Sequence, residues 1–241
     1  MNIAIILAGG TGTRMGTDIP KQYLQVNDRP IISYCVETIS KCNRIDKIVI
    51  VAADEWKKFI ENSVLRYDVC KKFAGFSNPG ENRQLSIFNA LSDIEKDNQD
   101  KECYVVIHDA ARPYLTTENL SQYIEAAEGH DGVLPVLPMK DTVYRSADGK
   151  SITGLVNRSE VFAGQAPEVF VFTKYLEANK KLLTYENGKI SKESLIYEIS
   201  GSTQPAIMAG MDVIMVPGNE RNTKITTMED FNACLEALSG K

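Results

Sequence analysis

Short, uninterrupted apolar runs alternate along the chain with longer stretches in which apolar residues recur every three or four positions. The runs are rich in β-branched residues, which is typical of strands buried on both faces. The predicted strands are Ile3–Leu7, Ile45–Ala52 and Tyr104–His108. In the stretches between these strands, the three- to four-residue spacing of apolar positions predicts the helices Ile31–Ser40, Asp54–Tyr67 and Arg83–Glu95. This alternation predicts an α/β fold with a mostly parallel central sheet.

The pattern changes after Val136. Residues 138–166 contain a Ser-Ala-Asp-Gly turn at 146–149 and short alternating segments at Thr142–Tyr144 and Ile152–Val156, which predicts a β-hairpin. We interpret residues 138–166 as an arm that projects from one domain, formed by residues 1–137 and 167–241.

The alternation of helix and strand resumes after the arm. The spacing predicts a helix over Lys174–Leu183, a strand over Asp212–Val216 and a closing helix over Met228–Leu238. The closing helix has Thr226 or Thr227 as its predicted cap, with acidic residues following. Residues 187–203 are Ser-rich and weakly patterned, so they predict no element.

Composition is that of an ordinary globular chain. At about 150 residues per domain, 241 residues correspond to about 1.6 domains, which fits one domain with an appendage. The chain has a net charge of −5 and therefore lacks the excess of basic residues that is typical of nucleic-acid-binding proteins. Five scattered cysteines form no CxxC pair, and no apolar run is long enough to cross a membrane. We therefore expect a cytoplasmic protein without a nucleic-acid or membrane partner.

The first strand runs directly into a glycine-rich loop, Ala8-Gly9-Gly10-Thr11-Gly12-Thr13-Arg14-Met15-Gly16. Glycines let backbone N–H groups approach phosphate oxygens, and Arg14 adds positive charge on the same loop. Lys21, whose backbone is constrained by Pro20, is near enough in sequence to meet the same polyphosphate. The loop matches neither a P-loop nor GxGxxG, which argues against kinase and NAD-binding domains. The alternative is a tight turn that needs glycine only for packing.

A second candidate is Gly80-Glu81-Asn82-Arg83-Gln84-Leu85-Ser86, where a loop becomes a helix. A helix N-terminus binds anions through its free N–H groups, and residues three apart share a helix face. Arg83 and Ser86 therefore predict a shared binding face. In the alternative, Arg83 is an ordinary first-turn residue and Ser86 faces solvent.

A third candidate is His108-Asp109-Ala110-Ala111-Arg112-Pro113, which follows a predicted strand. A carboxylate at the carboxyl end of a strand suits a Mg²⁺ ion that bridges phosphates, although Asp109 can instead cap the next turn. We interpret His108 as a packed residue rather than a general base.

Taken together and in this order, these blocks resemble the cytidylyltransferases of sugar and polyol phosphates. The similar group includes ribitol-5-phosphate cytidylyltransferase and 2-C-methyl-D-erythritol 4-phosphate cytidylyltransferase, and the resemblance covers nearly the whole chain. It implies a three-layer, Rossmann-like nucleotidyltransferase fold with a protruding β-hairpin arm. It further implies CTP and a polyol phosphate as substrates, Mg²⁺ as cofactor and a homodimer formed through the arm.

The resemblance also implies roles for individual residues. The implied CTP-binding residues are Leu7, Ala8, Gly9, Gly10, Thr11, Gly12, Thr13, Gly80, Arg83 and Ser86. The implied catalytic residues are Arg14, Lys21, Arg158 and Lys224. The implied acceptor-binding residues are Asp109, Arg112, Asp141, Thr142, Arg158 and Lys224. Asp109 would also meet Mg²⁺, and the arm residues would reach the site of a neighbouring subunit.

The resemblance leaves the acceptor open. The amino-acid sequences of residues 8–13 and of Ala163-Gly164-Gln165-Ala166-Pro167 favour ribitol phosphate as the acceptor, with methylerythritol phosphate as the alternative. The family usually has a Thr-Asp pair shortly before its Asn-x-Lys-Ile-Thr motif, here Asn222–Thr226, whereas this chain has Ser200–Thr203 there. That aspartate normally shapes the acceptor side, so its absence also admits a module that binds CTP without turnover.

Overall fold

The computed structural model describes residues 1–10, 19–97 and 103–238. Its strands are β1 (Ile3–Leu7), β2 (Gln25–Val26), β3 (Arg29–Pro30), β4 (Lys47–Val51), β5 (Phe73–Ser77), β6 (Tyr104–Asp109), β7 (Gly132–Pro138), β8 (Val143–Arg145), β9 (Gly154–Val156), β10 (Phe162–Gly164), β11 (Glu168–Val171), β12 (Tyr185–Glu186), β13 (Lys189–Ile190) and β14 (Val213–Pro217). Its helices are α1 (Ile31–Lys41), α2 (Asp54–Ser63), α3 (Arg83–Asp97), α4 (Thr117–Ala126), α5 (Phe172–Lys180), α6 (Gln204–Met208) and α7 (Met228–Leu238).

The central sheet has eight strands, in the order β10-β7-β11-β6-β1-β4-β5, and β14 also pairs with β7. Strands β6, β1, β4 and β5 are mutually parallel, whereas β11 is antiparallel to both β6 and β7. Because the parallel strands point the same way, their carboxyl ends meet at one edge of the sheet. Ligand sites of α/β proteins form at that edge.

Helices cover both faces of the sheet and make three layers. On one face, Ile6 and Val106 pack with apolar residues of α1, α2 and α4. On the other face, Ile5 and Ile107 pack with apolar residues of α3 and α5. Successive residues of one strand enter opposite cores, which explains the uninterrupted apolar runs. The α/β class and the mostly parallel sheet are confirmed.

Most predicted helices and strands are confirmed, with ends that differ by at most three residues. The exception is the helix predicted over Asp54–Tyr67, because α2 ends at Ser63 and a separate 3-10 turn spans Leu65–Tyr67. Just beyond it, the buried Asp68 carboxylate accepts hydrogen bonds from the backbone N–H groups of Lys72 and Phe73. These bonds turn the chain into β5, a strand that the apolar pattern did not predict.

The predicted hairpin is confirmed. Val143 of β8 lies opposite Val156 of β9, and the Asp148 carboxylate accepts hydrogen bonds from backbone N–H groups in the connecting turn. Both ends of the arm are anchored in the central sheet, since β7 ends at Pro138 and β10 pairs with it. Within the described ranges, no helix has the length and apolar character that a membrane crossing requires.

The closing helix α7 has the predicted bounds, and Thr227 caps it. The Thr227 hydroxyl accepts a hydrogen bond from the Asp230 N–H at 3.2 Å. In return, the Asp230 carboxylate accepts bonds from the N–H groups of Thr226 and Thr227 and from the Thr226 hydroxyl. These hydrogen bonds lower the pKa of Asp230 to about 2. Cys234 then joins the helix to a small core with Val26 and Ile225.

Replacing Asp230 by alanine is expected to lower the free energy of unfolding by about 1 kcal/mol, because it leaves N–H groups at the helix start unpaired. Urea unfolding of the wild type and Asp230→Ala measures this difference. The exposed neighbour Glu229, changed to alanine, serves as the control. The difference should persist down to about pH 4, the ordinary pKa of an aspartate, and shrink only below it. Equal unfolding midpoints for Asp230→Ala and Glu229→Ala at pH 7 would contradict the capping role.

Candidate active site

A cavity of about 460 Å³ opens at the carboxyl edge of the sheet. The ends of three parallel strands contribute Leu7, Val51 and Asp109 to its wall, and the start of α3 contributes Arg83. Lys224, from the loop before α7, also lines it. The cavity therefore lies where the strand directions place ligand sites in this class of fold.

The predicted site residues divide into four groups. Those that line the cavity are Leu7, Gly9, Gly10, Lys21, Gly80, Arg83, Ser86, Asp109 and Lys224. Ala8 is buried in the same loop, and Arg112 Nε lies 3.4 Å from Asp109 Oδ2. The arm residues Asp141, Thr142 and Arg158 are exposed and do not line the cavity of their own chain. The remaining predicted residues, Thr11, Gly12, Thr13 and Arg14, lie outside the described residues.

The first part of the glycine loop is held by Gln22 and Tyr23, the two residues that follow Lys21. The Gln22 side-chain amide donates hydrogen bonds to the carbonyls of Ala8 and Gly10, both at 2.7 Å. The Tyr23 hydroxyl donates to the Ala8 carbonyl at 3.0 Å, and its ring stacks on Trp56 of α2. The segment after the loop thus fixes the loop backbone while Lys21 lines the cavity. The sequence pointed to Lys21 but not to this role of Gln22.

Gly80 approaches helix α3 too closely for any side chain. A Cβ atom there would lie 2.3 Å from Leu85 Cβ and 2.7 Å from the Leu85 carbonyl carbon. The Gly80 N–H donates to the Ser86 hydroxyl at 3.0 Å, and that hydroxyl donates to the Asn82 carbonyl at 2.8 Å. Ser86 is therefore buried and holds the loop against the helix, so the alternative in which it faces solvent is wrong.

Asp109 is the charged centre of the cavity wall. Its Oδ1 accepts hydrogen bonds from Arg83, from Nε at 3.3 Å and from Nη2 at 3.2 Å. Its Oδ2 lies 3.0 Å from Lys224 Nζ and 3.4 Å from Arg112 Nε. Three cations distant in sequence therefore converge on one carboxylate. Among the described residues, the Asp109 carboxylate accepts from these side chains and does not cap the next turn.

These contacts decide the charge of Asp109. Burial alone would raise the pKa of its carboxyl, but the neighbouring cations outweigh burial and hold the pKa well below its usual range. Arg83 stays charged, because Asp109 and Glu168 more than offset the effect of burial and raise its pKa. The wall of the cavity is therefore a fixed charge cluster with an excess of cations.

His108 is packed, as predicted. It is fully buried beneath Asp109, and its Nε2 lies 3.2 Å from the Arg112 carbonyl. Burial lowers the pKa of His108 to about 4, so the ring is neutral at pH 7. It does not line the cavity, and the geometry therefore assigns it no proton-transfer role.

The loop that carries Lys224 is held by Arg112, one of the predicted site residues, and by Gln165 and Asn222, to which the sequence assigned no site role. The Gln165 side chain donates to the Asn219 carbonyl at 3.1 Å and accepts from the Asn219 N–H at 3.0 Å. Arg112 Nη1 donates to the Asn222 carbonyl, and the Asn222 amide donates to the Ala166 carbonyl, each at 2.7 Å. These four bonds fix the loop immediately before Lys224.

The acidic residues of the cavity suit one type of metal ion. Within the part of the chain that the structure describes, no group of three or more His, Cys, Asp or Glu side chains could hold a metal. Among the described residues, Asp109 and Glu81 bring carboxylates to the cavity wall, and a carboxylate has about four lone-pair positions. This donor set fits Mg²⁺, which binds one or two carboxylates and takes its other ligands from water and substrate phosphates.

Comparison with known proteins identifies a family. The model of the family described as IspD, 2-C-methyl-D-erythritol 4-phosphate cytidylyltransferase, matches residues 2–238. Ribitol-5-phosphate cytidylyltransferase of Streptococcus pneumoniae serotype 2 is 33% identical over 234 residues, covering 96% of each chain. The 2-C-methyl-D-erythritol 4-phosphate cytidylyltransferase of Clostridium botulinum is 32% identical over 231 residues, covering 95% of each chain.

Solved structures agree with this assignment. The crystal structure of 4-diphosphocytidyl-2C-methyl-D-erythritol synthase from Anaerococcus prevotii matches with a TM-score of 0.80 and 25% identity. The match covers 98% of this chain and 95% of that one. The nucleotidyltransferase fold that the resemblance implied is therefore confirmed.

Replacing Gly80 by alanine is expected to destabilise the protein by roughly 1 to 3 kcal/mol, because the added methyl group overlaps the backbone of α3. Urea unfolding measures the change. The matched control is Gly10→Ala, since a Cβ at Gly10 meets no atom of the described residues within 4 Å. If Gly80→Ala is as stable as Gly10→Ala, the close contact between the loop and α3 does not exist in solution.

Proposed function

Because residues 2–238 match that family model, the chain belongs to the IspD family of cytidylyltransferases, and we propose that it transfers CMP from CTP to D-ribitol 5-phosphate. The products are CDP-ribitol and pyrophosphate. The observation that carries the proposal is the cavity lined by Gly9 and Gly10 of the glycine loop, with Lys21, Arg83 and Lys224 on its walls. Such a cavity suits a triphosphate and a second phosphate, because it offers backbone N–H groups and several cations.

The acceptor is the finer part of the proposal. The relatives named for ribitol 5-phosphate and for methylerythritol phosphate are 33% and 32% identical to this chain, so identity alone does not separate them. The amino-acid sequences of the glycine loop and of Ala163–Pro167 support ribitol 5-phosphate as the acceptor. Methylerythritol phosphate is the alternative acceptor.

The reaction needs no general base. A phosphate monoester has a second pKa of about 6, so the acceptor phosphate is mostly a dianion at pH 7 and is already nucleophilic. Its oxygen attacks the α-phosphorus of CTP, the bond from that phosphorus to the bridging oxygen breaks, and pyrophosphate leaves. The barrier lies in bringing two anions together in line, which cations and positioning lower. The burial of the neutral His108 outside the cavity is consistent with this chemistry.

We propose the following division of roles. Lys21 and Arg14 stabilise the charge that develops on the triphosphate, and Lys224 and Arg158 hold the acceptor phosphate in line. The remaining CTP-binding residues are the glycine loop together with Gly80, Arg83 and Ser86. Asp109 and Arg112 face the acceptor, and Asp141 and Thr142 bind its polyol from the arm.

Cytidylyltransferases of this family generally depend on a divalent cation. We propose Mg²⁺ with Asp109 as its protein ligand. When bound, the ion neutralises phosphate charge. Arg83, Arg112 and Lys224 orient the Asp109 carboxylate and keep it ionised for this role.

We further propose a homodimer in which the arm of one subunit completes the cavity of the other. Three apolar side chains of the arm support this, since Tyr144, Ile152 and Leu155 are 56%, 69% and 67% exposed. Exposed apolar residues grouped on one projecting element are typical of an interface.

All five cysteines are free thiols, which supports a cytoplasmic location.

The purified protein with CTP and Mg²⁺ is expected to release pyrophosphate when D-ribitol 5-phosphate is added. The kcat/KM should be at least about tenfold higher than with methylerythritol phosphate, because the two polyols differ in a methyl group and in hydroxyl positions. Omission of the acceptor and addition of EDTA serve as controls and should both abolish release. A preference for methylerythritol phosphate would favour the alternative acceptor. CTP binding without release from any polyol phosphate would favour a catalytically silent module.

Lys21→Ala and Arg158→Ala are each expected to lower kcat by roughly 100-fold, because each removes a positioned cation. A homodimer with shared sites makes a further prediction. Refolding the two variants together should restore about a quarter of wild-type activity, because half of the dimers are mixed and each mixed dimer holds one intact site.

The matched control pairs Lys21→Ala with Lys224→Ala. Both residues line the cavity of their own chain, so a mixed dimer of these variants contains no intact site and should stay inactive. Equal recovery in both mixtures, or no recovery in a mixture shown to be dimeric, would contradict the shared site.

A further inference from the structure

Glu168 is a buried acid that the sequence did not single out. It begins β11 directly opposite Ile107 of β6 and is 8% exposed. Paired residues on neighbouring strands face the same side of a sheet, as do residues two apart on one strand. Glu168 and Asp109 therefore lie on the same face, at the edge where the cavity opens.

The two carboxylate oxygens of Glu168 have different environments. Oε1 accepts a hydrogen bond from the Ser202 hydroxyl at 2.5 Å. Oε2 is buried without a hydrogen-bond partner among the described residues and lies 3.7 Å from Arg83 Nη2. Burial raises the pKa of Glu168, although Arg83 and Ser202 act in the opposite direction.

Arg83 lies between two acids. Its Nη2 is 3.2 Å from Asp109 Oδ1 and 3.7 Å from Glu168 Oε2, and the side chain also lines the cavity. A guanidinium is planar, and Asp109 accepts hydrogen bonds from its Nε and Nη2. The charge contact of Glu168 with Nη2 adds a second attraction that favours one orientation of this plane. Without Glu168, Asp109 would be the only acid among the described residues that orients Arg83.

We propose that Glu168 is a positioning residue for nucleotide binding, oriented by Ser202 and holding the Arg83 guanidinium in the plane that presents its remaining N–H groups to CTP. The inference rests on the proposed function of the cavity and adds two residues to it. Ser202 belongs to the segment that replaces the family's Thr-Asp pair, so the hydroxyl present in this chain receives a specific task.

The contacts with Ser202 and Arg83 explain why position 168 needs a carboxylate rather than an amide. A carboxylate accepts hydrogen bonds on both oxygens, whereas a glutamine amide has one accepting oxygen and one donating nitrogen. In Glu168→Gln, the amide either loses the bond from Ser202 or turns its NH₂ group toward Arg83. Both arrangements disturb the plane of Arg83 without changing the size of the side chain.

The test compares the wild type, Glu168→Gln, Ser202→Ala and the double variant. The dissociation constant for CTP with Mg²⁺ is measured by calorimetry, and kcat and KM for both substrates are measured by pyrophosphate release. Loss of a residue that orients a ligand-binding side chain typically costs about 10- to 100-fold. We expect CTP binding to weaken by roughly tenfold in Glu168→Gln, with an unchanged KM for the acceptor. Ser202→Ala should weaken it less, and the double variant should match Glu168→Gln because both changes act on one contact.

Ser194→Ala is the matched control. Ser194 is as buried as Ser202 but bonds to the backbone of Thr184, away from the cavity. It should leave CTP binding unchanged. Thermal unfolding of every variant separates a loss of binding from a loss of folding.

A role through charge alone predicts the opposite sign. Removal of a negative charge beside the cavity would then tighten the binding of a polyanion. Unchanged or tighter CTP binding in a folded Glu168→Gln, or additive effects in the double variant, would overturn the inference. These outcomes differ from failure of the proposed function, in which the wild type releases no pyrophosphate while the calorimetric comparison still tests Glu168.

Discussion

The site depends on one buried carboxylate that holds three cations together. Arg83 begins α3, Arg112 follows β6, and Lys224 precedes α7, so these side chains are far apart along the chain. Like charges repel one another, and the buried Asp109 carboxylate compensates this repulsion by contacting all three cations. Because the Asp109 carboxylate is buried, solvent screens its contacts less than it screens an ion pair between two exposed side chains. The positions of α3 and of the Lys224 loop are therefore set by the same group.

This arrangement explains how an acidic protein can bind highly charged anions. The net charge of −5 is spread over the whole surface, whereas the field in a cleft is set by the few groups that line it. Lys21, Arg83 and Lys224 line the cavity, and the carboxylates of Asp109 and Glu81 offset only part of their charge. Composition therefore argued against a polynucleotide partner but was uninformative about a small anionic ligand.

Sequence patterns predicted those parts of the fold whose signal is local. The apolar run Ile3–Leu7 and the closing helix Met228–Leu238 were both predicted with the bounds that the structure has. Strand β5 was not, because Gly75 interrupts it at φ +148° and leaves too few apolar residues for a pattern.

The residues of the candidate site also divide into those that the sequence predicted and those that it missed. The glycine loop and Asp109 were predicted because their residue types and order are distinctive. Gln22, Gln165 and Glu168 were missed, because each acts through partners that are remote in sequence or through backbone carbonyls, which leave no trace in residue types. The cluster around Asp109 could be inferred only from the family, since no spacing rule brings its three cations together.

The hydrogen bonds of Gln165 to both backbone groups of Asn219 have a thermodynamic consequence. A flexible loop loses conformational entropy when it closes on a ligand, and that loss weakens binding. Here the loop before Lys224 is already ordered by Gln165, Arg112 and Asn222, so its entropy is lost when the chain folds. Ligand contacts made by Lys224 can then contribute their full free energy to affinity, and the stability of the empty protein carries the cost of that order.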